Sequence, residues 1–398
     1  MKVFYSSLVL LVLFLLGSCA QQEEISESYS ETAVNSAFAE HRVSSNDALG
    51  LADKVLGKTN STRASFPSVT CVLNPRMATR SESVVGDTLA YIINYPDEGF
   101  VIVSGDNRVY PVLAFSETGY FSLENLAAKN MIVDNLETFI SDHINDGNSY
   151  PIDSISADQL LGCASVLPPV DETKLNQKSP FDKYVAQVHP GCPVGCCAVA
   201  MGIALLDTQS STSFTSYHGE TFNLEAIRKG LASKYKTYNL PSKKIVGNGT
   251  SLTYEQAADK MAKLLYYIAE DIYTEFYPDG SLASIQGLQA WTIGQKISMT
   301  AMLSRYNLES IVNLIRKKNS IVIMSGEVPN VEQTAHCWVA DGCLYCMENN
   351  DPEKIFNLFL HIDWGWGGGN NGYYQGDIFN VNGKGYISHY YLGLAKRK

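Results

Sequence analysis

The run Gly195-Cys196-Cys197-Ala198-Val199-Ala200-Met201-Gly202 puts a thiol at the start of an apolar stretch, directly after a glycine. Glycine lets the backbone turn sharply into a helix. A cysteine at a helix N-terminus meets unpaired N–H groups and the positive end of the macrodipole, both of which favour the nucleophilic thiolate. A buried, inert cysteine leaves the same local pattern, so the chemistry needs a proton partner. His336, in Gln333-Thr334-Ala335-His336-Cys337-Trp338-Val339-Ala340-Asp341-Gly342, stands at the mouth of a short strand, from which an imidazole can reach a helix N-terminus. A third motif is His361-Ile362-Asp363-Trp364-Gly365-Trp366-Gly367-Gly368-Gly369. Strand alternation puts His361, Asp363 and Gly365 on one face. An Asp there can accept from the imidazole and fix its tautomer, with Trp364 shielding that hydrogen bond from water. Cys197 is the rival nucleophile, but one step along a helix turns it about 100° away from Cys196.

The elements that carry these residues are readable from periodicity. Asp47 to Leu56 has helical spacing, and Leu89–Tyr95, Gly99–Ser104 and Val109–Phe115 read as strands, the first two joined by the turn Pro96-Asp97-Glu98-Gly99. A helical period follows over Leu123–Ile144, completing a first α+β unit. The turn cluster Asp146-Gly147-Asn148-Ser149 ends that pattern, and Pro151, Pro168 and Pro169 predict no regular element up to about Gln177. Helices are then expected over Cys196–Leu206, Tyr254–Ile272 and Leu308–Lys318. Strands are expected over Ser320–Met324, Cys337–Ala340, Phe356–Trp364 and Tyr386–Leu392. A helical half followed by a β half is again α+β. The expected division is 1–19, 20–40, 41–165 and 166–398.

The first two of those segments concern destination. Lys2 precedes an apolar run from Leu8 to Leu16, too short to span a bilayer permanently, and Leu16-Gly17-Ser18-Cys19 follows. That order resembles the lipobox of bacterial lipoproteins, which implies an acylated Cys19 and a membrane contact made only through the lipid. Residues 20–40 are polar and read as a tether, and the Glu-rich run after Cys19 resembles a surface-export signal. The whole chain of 398 residues is 45% hydrophobic and 18% charged, ordinary globular composition that excludes disorder for most of its length. With 30 Lys plus Arg against 41 Asp plus Glu, the net charge of -11 argues against nucleic acid as a partner. Nine cysteines leave disulfides open in an exported chain. His336, Cys337, Cys343 and Cys346 resemble a zinc set, but adjacent strand residues point to opposite faces. A disulfide at Cys343 or Cys346 is the preferred reading, with no metal and no cofactor.

Taken together, the Gly-Cys-x-Ala-x-Ala run, the His336 strand and His361-Ile362-Asp363-Trp364-Gly365-Trp366-Gly367-Gly368 resemble the streptopain family of papain-like cysteine endopeptidases, in its Bacteroidetes form. The Cys-to-His spacing falls in the papain-like interval of about 130–150 residues. Ala90-Tyr91-Ile92-Ile93-Asn94, the stretch Gly99–Asp106 and Pro111–Ser116 are similar to the family's inhibitory propeptide. Asn176-Gln177-Lys178-Ser179-Pro180-Phe181-Asp182 is similar to the segment whose Gln helps form the oxyanion hole. The resemblance implies a papain-like catalytic domain over 166–398 behind a propeptide at 41–165 that acts as its intramolecular inhibitor. It also implies protein or peptide substrates with an apolar residue at P2. Cys196 would attack, His336 carry the proton, Asp363 orient it and Gln177 donate to the oxyanion. Thr334-Ala335 stands where the family has Gly-Gly, Asp363 where streptopain has Asn, and the Gln and Tyr-His of the family's nucleophile helix are missing from Ile203–Gln209. A surface lipoprotein that binds protein or glycan without catalysis is the alternative. It predicts decay of the catalytic set, yet Gln177, Cys196, His336 and Asp363 are all present. Amide transfer on non-protein substrates would not call for a propeptide.

Overall fold

A computed structural model of the chain describes residues 40–58, 66–74, 86–96, 99–124, 129–133, 135–144, 150, 152, 163–167, 173–208, 213–235, 252–303, 306–317, 320–326, 335–347, 355–379 and 390–395. The signal segment with Cys19, nearly all of the tether, the Asp97-Glu98 turn, Thr334 and the Pro168-Pro169 stretch lie outside these residues.

The first helix, α1 (Ser45–Val55), starts where Ser44 and Asp47 close a capping box, each side chain accepting the other's backbone N–H. Its Ala48, Leu51 and Ala52 are buried against a four-stranded antiparallel meander: β1 (Ser68–Leu73), β2 (Thr88–Tyr95), β3 (Gly99–Ser104) and β4 (Val112–Ser116). The helix expected over Leu123–Ile144 is shorter: a single π-turn covers Lys129–Val133, and α2 spans Leu136–Ile144. Its buried residues Leu136, Phe139 and Ile140 cover the other face of the meander.

The segment expected to lack regular structure contains β5 (Cys163–Leu167), which straddles the expected boundary at 165/166. None of Pro151, Pro168 and Pro169 falls within the sequence of this strand, so its ladder loses no donor. The nucleophile helix α3 spans Cys196–Thr208. A small ribbon of β6 (Ser213–Tyr217) and β7 (Glu220–Asn223) leads into α4 (Leu224–Ala232), α5 (Tyr254–Asp271) and α6 (Ile285–Gly294). Then come β8 (Met299–Leu303), α7 (Leu308–Lys317), β9 (Ser320–Gly326), β10 (His336–Met347), β11 (Ile355–Asp363), β12 (Gly372–Gln375) and β13 (Tyr390–Ala395).

Eleven strands form one antiparallel sheet in the order β1-β2-β3-β4-β12-β11-β10-β9-β13-β8, with β5 also paired to β10. The N-terminal meander and the C-terminal strands are therefore a single sheet, joined where Phe115 and Ala114 of β4 face Tyr373 and Tyr374 of β12. One face carries a core shared by both units, with Leu89, Phe100 and Phe139 beside Trp338, Trp364 and Tyr374. On the α1 face, Tyr110 and Phe115 meet Phe359, with ring centroids 6.1 and 5.6 Å away. The third core belongs to the C-terminal unit alone: α3, α4, α5 and α6 close around Met201, Leu205, Leu265 and Leu288, with Ile321, Cys337 and Val339 from the sheet. Among the described residues no helix is long and apolar enough to cross a membrane.

Candidate active site

Cys196 is the first residue of α3, and Gly195 before it takes φ +99°, the left-handed turn that a side chain would resist. The helix packs on β10, whose first residue is His336. Cys196 is half-buried, His336 is 5% exposed, and the imidazole is the neighbour that favours ionisation of the thiol. His336 Nε2 donates to the carbonyl of Trp364 at 2.9 Å. A carbonyl can only accept, so Nε2 carries the proton and Nδ1 is the nitrogen left for the thiol.

The acceptor differs from the expectation that the Asp363 carboxylate itself receives the imidazole. Asp363 Oδ1 accepts from Gly365 N–H at 2.8 Å. That N–H and the Trp364 carbonyl belong to the same peptide unit. The carboxylate therefore holds the peptide, and the peptide holds the imidazole. Asp363 is fully buried, and an acceptor on the N–H side polarises the carbonyl on the other. Asn371 Oδ1 fixes the preceding Trp364 N–H at 3.0 Å. Gly365 sits at φ +73°, and a Cβ there would lie 2.9 Å from Val199 of the nucleophile helix.

Trp364 is buried as expected, with its ring 6.2 Å from that of His336. The nearer shield is Trp366, stacked on the imidazole at 4.8 Å and 24°. The sequence reading singled out only Trp364, although Trp-Gly-Trp offers two indoles on one turn.

Gln177 lies on a strap that joins both sides of the site. Its carbonyl accepts from Val194 N–H at 2.9 Å, two residues ahead of Cys196. Its neighbour Asn176 bridges to Trp366, and Leu175 carbonyl accepts from Gly367 N–H at 2.8 Å. His361 takes no part in the dyad: its Nδ1 bonds Asp341 Oδ1 at 2.6 Å, a buried pair spanning β10 and β11. A cross-strand partner leaves no spacing signal in the sequence.

The thiol environment departs from expectation. Cys197 points away from the imidazole, with its Sγ donating to Ala283 carbonyl at 3.5 Å. The Cys196 thiol is held well above the ordinary thiol range, chiefly by the hydrogen bond with Cys197 and then by burial, while His336 pulls the other way. Both the neighbouring thiol and desolvation thus oppose ionisation of Cys196. Among the described residues no group of three or more His, Cys, Asp or Glu side chains is placed to hold a metal ion.

Residues 175–374 match the Peptidase C10 family, and residues 40–140 match the Spi protease inhibitor family. Streptopain of Streptococcus pyogenes serotype M28 (strain MGAS6180) is 25% identical over 333 residues, spanning 74% of this chain and 75% of its own. Among solved structures, a prointerpain A fragment of Prevotella intermedia aligns with a TM-score of 0.48 at 16% identity, covering 83% of this chain and 100% of that one. Active interpain A of the same organism aligns with a TM-score of 0.35 at 18% identity, covering 58% of this chain and 95% of that one.

Proposed function

The chain belongs to the Peptidase C10 family and is a cysteine endopeptidase built as a precursor behind an inhibitor-type prodomain, and from that premise we propose that Cys196 and His336 form its catalytic dyad. The observation that carries this is the placement of Cys196 at the start of the helix packed on the strand that begins with His336, whose Nε2 is held by the Trp364 carbonyl. His336 takes the thiol proton as Cys196 sulfur bonds to the substrate carbonyl carbon. The C–N bond then breaks, His336 returns that proton to the leaving amine, and water hydrolyses the thioester. The Cys196 N–H and the Gln177 amide are the oxyanion donors, each worth about 3 kcal/mol in comparable sites. Asp363 acts through the Trp364–Gly365 peptide as a positioning residue. Substrates are proteins or peptides, with an apolar residue preferred at P2.

The same proposal covers maturation and location. An acylated Cys19 holds the precursor at the cell envelope, and a cut before Lys174 frees the C-terminal unit from prodomain and anchor. The apolar run ending in Leu16-Gly17-Ser18-Cys19 supports this reading. Intact mass of residues 20–398, with and without reducing agent, tests maturation beside a Cys196→Ala variant and a thiol-alkylating epoxide, and intact mass of the full chain before and after processing tests the anchor at Cys19. The expected result is loss of the prodomain and one adduct on Cys196 in the wild type, with the variant staying full length. A protein that neither processes nor labels, even after an added protease clips the prodomain, would instead be a binding lipoprotein. Finding Cys19 on the active form would sink the release step alone.

A further inference from the structure

The loop that supports His336 also holds the prodomain, through one side chain. Ser122 N–H donates to Asn370 Oδ1 at 3.0 Å, and Asn370 Nδ2 donates to Ser122 carbonyl at 3.2 Å. The main-chain N–H of Asn370 adds a bond to Tyr120 carbonyl at 3.2 Å. One carboxamide thus reads both backbone groups of one residue and touches nothing specific to its side chain. The residue before it is held in the same way from the opposite side. Phe121 N–H donates to Asn94 Oδ1 at 2.7 Å, and Asn94 Nδ2 donates to Phe121 carbonyl at 3.0 Å. Successive residues of an extended chain present their backbone groups to opposite sides. The prodomain therefore grips Phe121 itself and offers Ser122 to the catalytic unit.

Asn370 is built for this task. It is 2% exposed, and its φ of +62° turns its side chain and N–H toward the same neighbour. Tyr374 hydroxyl donates to its carbonyl and fixes the turn. Four residues earlier on the loop, Trp366 lies on the His336 ring.

We propose that Asn370 is a backbone-reading positioning residue, occupied by Ser122 in the precursor and by the main chain of an extended peptide substrate in the mature enzyme. What it recognises is a donor and acceptor pair that every residue except proline carries, so any extended peptide can replace the prodomain segment at Ser122. This rests on the reading of the chain as a peptidase, and the wild-type control tests that reading separately.

The experiment uses the full chain with Asn370→Gly, which keeps the left-handed turn and removes the carboxamide, and Asn370→Asp, which keeps the acceptor and removes the donor. Thermal unfolding of each precursor checks folding. Prodomain loss should be about three- to tenfold faster than in wild type, the factor expected for losing one or two neutral hydrogen bonds. After prodomain removal, steady-state rates are compared on three substrates: a short acyl-amide ending at the scissile bond, a peptide extended on the leaving side and one extended on the acyl side. A KM raised about three- to tenfold for one of the extended peptides, with kcat nearly unchanged and the short amide unaffected, is the expected result. Equal loss on all three substrates, or no change on any, overturns the proposal. Asn94→Ala, which loosens only the prodomain's own grip, should speed prodomain loss and yield a mature enzyme with wild-type KM. If wild type cleaves none of the three substrates, the peptidase reading fails first.

Discussion

Cys196 and His336 face each other, yet they stand on cores with different owners. The nucleophile helix is closed in by residues of the C-terminal unit alone, from Leu175 through Val339. His336 and the Trp364 carbonyl stand where one face of the sheet, beside Trp338 and Trp364, is filled jointly with the prodomain by Phe100 and Phe139, while Cys337 and Val339 on the other face belong to the helical core. Departure of the prodomain leaves the thiol's foundation complete and strips half of the histidine's. On the proposed roles, loss of the prodomain would therefore act on the imidazole side, and the Cys196 side would keep its scaffold.

The largest effect should come from opening a cavity in each of the two regions. Phe359→Ala removes a fully buried ring that meets both Tyr110 and Phe115, and it should lower precursor stability by about 3–5 kcal/mol. Leu265→Ala in the helical core should cost about 2–5 kcal/mol. Denaturant unfolding measures both losses, and only Phe359→Ala should also accelerate prodomain loss. Equal acceleration by the two variants would break the comparison.

Gly365→Ala attacks the junction of the two regions. It forces a side chain into a left-handed backbone and against Val199, displacing the peptide that holds His336. Backbone strain of about 1–2 kcal/mol is expected, and a displacement of about 1 Å near the reacting groups costs on the order of a hundredfold in kcat. Asp363→Asn keeps an acceptor for Gly365 N–H and should retain most of kcat. Asp363→Ala should lose about tenfold or more, by the worth of a hydrogen bond to a charged group.

On the nucleophile side, Cys197→Ala removes the hydrogen bond that does most to keep Cys196 protonated. The folded Cys196 pKa should fall, so the thiolate fraction at a given pH rises. The curve of alkylation rate against pH should therefore move to lower pH, and a shift to higher pH would contradict the assigned cause. The smallest effect is expected at Ser44→Ala, where loss of the α1 cap should cost about 1 kcal/mol of precursor stability and leave mature activity alone.

What could be read beforehand follows the range of each signal. Helix α5 was legible because its long 3.6-residue period is a local pattern, and it ends one residue before the expected Ile272. The nucleophile helix and its glycine were legible for the same local reasons. The β4–β12 seam was not, because pairing between strands at opposite ends of the chain leaves no local pattern. The support of His336 was read one residue off, at the Asp363 carboxylate instead of the Trp364 carbonyl. Every residue has a main-chain carbonyl, so no residue type advertises that role. The buried His361–Asp341 pair escaped for the first reason, being cross-strand.

The β4–β12 seam also sets a timetable for synthesis. Strands β1 to β4 leave the ribosome long before β12 exists, and local hairpins close faster than distant pairings. The nascent meander must then wait with β4 as an uncovered edge, the position at which strands invite foreign partners. Once β12 arrives, that edge becomes the template on which the last part of the peptidase sheet is laid. Pulse-labelled hydrogen exchange during refolding should find β2 and β3 amides protected first and those of the β4–β12 ladder late. Simultaneous protection would mean the sheet condenses as one piece.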